Sequence, residues 1–80
     1  MSERLKFQGR LAEKEREAKT LELRISGLRD GLRETLDPFE AIADLKADVI
    51  AAQAVDLAEL HIRYMETMGE IAAIRKALGR

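Results

Sequence analysis

The sequence predicts an all-α fold, an antiparallel two-helix hairpin that dimerises into a four-helix bundle, and three observations predict it. Composition is weighted towards Ala, Leu, Glu, Lys and Arg, the bias of long helices and coiled coils. The one proline, Pro38, stands near the middle of 80 residues and divides two long stretches of helical periodicity. The second stretch is apolar over an arc too wide for a single neighbouring helix to cover.

The first helix is expected over about residues 3–36. A seven-residue frame puts Arg4, Leu11, Ala18, Ile25 and Leu32 at a, and Phe7, Lys14, Leu21, Leu28 and Thr35 at d. The unbroken apolar run from Ala18 to Leu32 is the seam of a coiled-coil-like helix, so the C-terminal half is expected to be the adhesive one. Gly27 and Gly31 interrupt that run, each costing about 1 kcal/mol relative to Ala. They either permit a close helix approach or end the helix early, and the stripe continuing through Leu28 and Leu32 favours continuity. Gly9 weakens the first turns in the same way.

The reversal is expected at residues 37–38. Proline disfavours α geometry in the residue before it, which stops the first helix at Asp37. Asp37 also suits an N-cap, Pro38 the first helical position and Glu40 the third, a capping box. A second helix is therefore expected over about residues 38–78, with Gly79 as its stop. It would span about 60 Å against about 50 Å for the first, leaving an overhanging C-terminal end.

Apolar residues of the second helix fall in neighbouring rows: Ile42, Leu45, Val49 and Ala52 in one, Phe39, Ala43, Ile50, Ala54 and Leu57 in the next, with Leu60, Tyr64, Met68, Ile71 and Leu78 continuing the face. The expected seam within the chain sets Leu21, Ile25, Leu28 and Leu32 against Ile42, Leu45 and Val49. Ile50, Ala54 and Leu57 are then left for a second copy, with Ala43, Ala47, Ala51, Ala54 and Ala58 allowing close backbones. On that assignment Ile50→Asp would dissociate the dimer.

Charge fits a hairpin. Residues 1–36 carry a net +2 and residues 37–60 a net −5, so folding back is expected to bring Arg24, Arg29 and Arg33 beside Asp44, Asp48 and Glu40. Overall net charge is −1, which offers no general attraction to nucleic acid or an anionic membrane. The basic residues Arg4, Lys6, Arg10, Lys14, Arg16 and Lys19 alternate with Glu3, Glu13, Glu15 and Glu17 and read as a solvated helix face.

Catalytic chemistry finds little to use. The chain has no cysteine and one histidine, His61, with no Glu three residues before it, so a surface or interface histidine is expected rather than a ligand. Glu66 with Glu70 and Asp44 with Asp48 repeat at solvent-facing spacing, and no phosphate-binding glycine loop is present. No catalytic residue, cofactor or metal is expected. The N-terminus lacks the apolar core of a secretory signal, and the apolar stretch 49–58 is broken by Gln53 and Asp56, so a cytoplasmic protein with no membrane contact is the expectation. Tyr64, Met65 and Met68 are nearest to a recognition patch, although packing explains them better.

The stretches Leu5-Lys6-Phe7-Gln8-Gly9-Arg10-Leu11 and Leu36-Asp37-Pro38-Phe39-Glu40 resemble those of small uncharacterised helical proteins encoded in Mu-like prophages. The resemblance implies an accessory protein in a bacterial cytoplasm and assigns no activity. The expected role is a non-enzymatic homodimeric interaction or assembly module. Its rivals are a nucleic-acid-associated accessory protein using the basic first helix, and one subunit of a complex with another helical protein.

Overall fold

A computed structural model of the chain describes residues 2–80. Ser2 opens the first helix, its Oγ accepting the Arg4 N–H at 3.1 Å, and α1 then runs over Glu3–Thr35 without a break at Gly27 or Gly31. A single 3-10 turn follows at Ile42–Asp44, and α2 occupies Ala47–Ala77. The chain leaves α2 through Gly79, whose φ of 77° is left-handed. The N–H of Arg80 bonds to the Arg75 carbonyl and that of Gly79 to Lys76, a Schellman closure. Among the described residues there is no strand, and α1 against α2 is the one packed pair of elements.

α2 starts at Ala47, not at Pro38. Asp37 makes a local turn instead of the expected capping box: its Oδ1 accepts the Phe39 N–H at 3.0 Å and its carbonyl accepts the Glu40 N–H at 3.2 Å. It does not propagate, and chain reach explains why. Lys14 lies beside Glu70, Glu22 beside Tyr64 and Gly31 beside Gln53, a register that sets Thr35 level with about Val49. A helix continued back to Pro38 would put that residue about 16 Å further along the axis. Three residues of chain from Thr35 reach about 11 Å at most. Residues 36–46 therefore serve as the connection, and helices of 33 and 31 residues match in length with no overhang.

Burial on α1 follows the seven-residue frame: Phe7, Leu11, Lys14, Ala18, Leu21, Ile25, Leu28, Leu32 and Thr35 are buried or half-buried, while Arg4 is exposed. On α2 the buried row alternates steps of three and four from Ile50 through Gln53, Leu57, Leu60, Tyr64, Thr67, Ile71 and Ile74 to Leu78. The buried core cluster is Leu11, Ala18, Ile71, Ile74 and Leu78, with Phe7, Tyr64 and Met68 packed on it.

That row reverses the expected assignment. Ile50 and Leu57 belong to the face towards α1 rather than to a second copy, whereas Ile42, Leu45 and Val49 are exposed at 87%, 45% and 43%. The cause is the late start of α2, which carries Ile42 and Leu45 into the connection and leaves Ile50 to begin the seam. Arg24, Arg29 and Arg33, expected beside Asp44, Asp48 and Glu40, make no ion pair with them; among the described residues the ion pairs linking the helices, Lys14 with Glu70 and Arg75 with Glu15, lie at the other end.

The result is a rod of 63 × 18 × 14 Å with a radius of gyration of 18.1 Å. A compact chain of this length would have a radius near 12 Å. Its accessible surface, 6070 Å², likewise exceeds the about 4,900 Å² expected of a globule of this mass.

Candidate functional site

With the inner row of α2 committed to α1, its outer face carries a second row. Ala51, Val55, Ala58, Ile62, Met65, Gly69 and Ala72 follow one another in alternating steps of four and three, a heptad seam roughly 150° around the helix from the first. All seven are exposed, with Val55, Ile62 and Met65 at 58%, 58% and 55%. Ala54, His61 and Met68 border it on one side and Glu59 and Glu66 on the other. The alanines and Gly69 keep the ridge low, so another helix can approach closely along it. The corresponding outward row of α1 is mixed, Leu5, Ala12 and Leu23 standing exposed among Arg16, Lys19, Asp30 and Arg33, so it offers no continuous apolar seam.

A second exposed apolar region is the hairpin tip. Leu36 and Leu45 are about half exposed, Phe39 is 93% exposed, and Asp37, Glu40, Asp44 and Asp48 stand among them. Two shallow grooves flank the helix pair. One is lined by Leu23, Arg24, Gly27, Leu28, Asp56 and Leu60, the other by Ile25, Arg29, His61 and Tyr64.

Polar groups close the gap between the helices instead of converging on a site. Lys14 Nζ lies 2.7 Å from Glu70 Oε2 and 3.4 Å from Glu17 Oε2, and these partners, Glu70 foremost, raise its pKa above the ordinary lysine value. The Tyr64 hydroxyl donates to Glu22 Oε1 at 2.9 Å, which raises the tyrosine pKa, with burial adding to it. Thr67, almost fully buried, donates to the Arg63 carbonyl at 2.9 Å. The side-chain oxygen of Gln53 is buried without a hydrogen-bond partner. Among the described residues no three His, Asp or Glu side chains come together as a metal set, and no helix is long and apolar enough to cross a membrane.

The twelve expected interface residues are thus divided. Leu21, Ile25, Leu28, Leu32, Ile50, Leu57 and Tyr64 form the intrachain seam, and Met68 packs beside it. Ile42, Leu45 and Val49 stand at the tip, and Ala54 borders the outer stripe. Val55, Ile62 and Met65 lay outside that expectation, as did Gln53, Thr67 and Ile74 on the inner row. The signal for both rows is a pair of interleaved heptads in one helix, which hydropathy alone merges into one broad arc.

No family model matches the chain, and no curated protein and no solved structure matches it significantly.

Proposed function

We propose that this hairpin is a non-catalytic association module that forms a homodimer, α2 packing on α1 along one seam and on a second copy along the other. The observation that carries this reading is the exposed row Ala51, Val55, Ala58, Ile62, Met65, Gly69 and Ala72, whose heptad spacing a solvated face would not need. Small two-helix chains without disulfides or metals are marginal alone, and packing α2 against α2 of a second copy would bury the apolar row that the hairpin leaves bare. The resemblance to Mu-like prophage proteins adds a setting to the proposal, an accessory role in a bacterial cytoplasm.

Sedimentation equilibrium across micromolar concentrations tests it. The wild type is expected near twice 9.0 kDa, and Ile62→Asp near 9.0 kDa with the helicity of its hairpin retained, since that side chain faces away from α1. A wild-type monomer, or an Ile62→Asp dimer, overturns the reading.

A second reading, one subunit of a heteromeric complex, is favoured by the tip, where Phe39 and Ile42 are more exposed than Val55, Ile62 and Met65 of the stripe. It predicts a monomer that associates only with a partner whose apolar pocket has a basic rim.

A further inference from the structure

We infer that the two copies pair antiparallel, with the two-fold axis near Ile62, so that the tip of each hairpin lies beside the open end of the other. This deepens the dimer proposed above and rests on it.

Two independent features carry the inference. The first is charge along the rod. Cutting the hairpin across at the level of Arg24 and Leu60 leaves the tip part, residues 24–60, with four Lys or Arg against eight Asp or Glu, a net of −4. The remainder, which forms the open end, holds ten against seven, a net of +3. Two such rods side by side in the same direction stack like ends on like ends. Reversed, they set the acidic tip with Glu40, Asp44 and Asp48 against the basic end with Arg75, Lys76 and Arg80. Surface potentials of opposite sign favour the reversed encounter and disfavour the parallel one.

The second is where the stripe sits. α2 spans Ala47–Ala77 and its middle residue is Ile62; the stripe, Ala51 to Ala72, is centred on the same point. A two-fold axis there overlays the two stripes along their whole length. It also brings Gly69 of one copy against Val55 of the other, a low position against a high one, and Ala72 against Ala51, two small residues that let the backbones approach closely.

Single cysteines read the orientation directly, because the chain has none of its own. The positions are exposed, so the hairpin tolerates them, and a short bis-maleimide joins only thiols that come close. Ile62→Cys lies near the axis and is expected to cross-link with itself in the dimer. Ala51→Cys is expected not to, its symmetry mate lying about 33 Å away along the helix. Ala51→Cys mixed with Ala72→Cys is expected to give the mixed product. Self-cross-linking of Ala51→Cys, or its failure with Ala72→Cys, overturns the antiparallel arrangement while Ile62→Cys still reports a dimer through the stripe. If Ile62→Cys fails and the mass is that of a monomer, the dimer itself is what falls, and the arrangement with it.

Discussion

The two ends of the hairpin follow the same heptad frame, yet they are packed very differently. At the open end Leu11, Ala18, Leu21, Thr67, Ile71, Ile74 and Leu78 are buried; towards the turn Ile25, Leu28, Leu32, Ile50, Leu57 and Leu60 are only half-buried. The difference lies in the flanks of the seam. At the open end long side chains, Lys14, Glu17, Glu22, Met68 and Arg75, lie over the seam and reach across it, their stems covering apolar surface. Near the turn Gly31 and Ala54 flank the seam beside Arg24, Arg29, Asp56 and His61, which line grooves next to Leu28 and Ile25 and, among the described residues, do not bridge the two helices. A heptad pattern names the residues that face inward; what stands beside them decides how dry they become.

The sharpest way to break that contrast is to shorten one seam residue at each end. Ile71 is 2% exposed, and Ile71→Ala is expected to cost about 3 kcal/mol, the loss of a branched side chain plus an uncollapsed cavity. Leu28→Ala, beside an open groove, is expected to cost about half as much, because water already reaches part of that side chain. Denaturant midpoints at one protein concentration, with slopes unchanged, give both values. Equal losses would mean that the turn end is as well covered in solution as the open end.

A smaller effect, of opposite sign, is expected at Gln53. This residue occupies a seam position near Gly31, and its amide oxygen is buried with no partner. Gln53→Leu removes an unsatisfied acceptor and adds apolar contact, and is expected to raise stability by about 1–2 kcal/mol, measured as a higher denaturant midpoint. An unchanged midpoint would show that the amide carries no such penalty, and the turn end would then owe its looseness to the flanks of the seam alone.

The inward face of α1 was legible in the sequence because a single frame accounts for it, but the expectation that its C-terminal half packs the more tightly is reversed: Leu11, Ala18 and Leu21 are buried and Ile25, Leu28 and Leu32 only half-buried. The reversal was legible in part. Asp37 turns the backbone as its side-chain chemistry dictates, but whether a turn grows into a helix depends on where the preceding helix ends, and that constraint is not local. α2 was hardest to read for a different reason. Its inner row contains Gln53, Tyr64 and Thr67, while Val55, Ile62 and Met65 lie outside it, so polarity and burial run against each other at the residues that matter. Hydropathy located the broad apolar arc of α2; only the register with α1 separates the face packed against α1 from the face left bare.

The smallest expected effect concerns the polar links of the open end and is seen in alkali. Lys14 has its pKa raised, first by the hydrogen bond to Glu70 and then by that to Glu17; Tyr64 has its pKa raised by the bond to Glu22, with burial adding to it. Both groups therefore hold their protons more tightly folded than unfolded. Their contribution is complete below the ordinary lysine and tyrosine values and is lost as pH rises through the raised folded ones, so stability should fall above about pH 10. These groups lie at the surface, and salt should flatten the slope. In Lys14→Met combined with Tyr64→Phe the protons are gone from both states, so denaturant midpoints taken up the alkaline range should fall less steeply than those of the wild type. Parallel curves would show that Leu11, Ile71 and Ile74 hold the open end closed without help from the bridges above them.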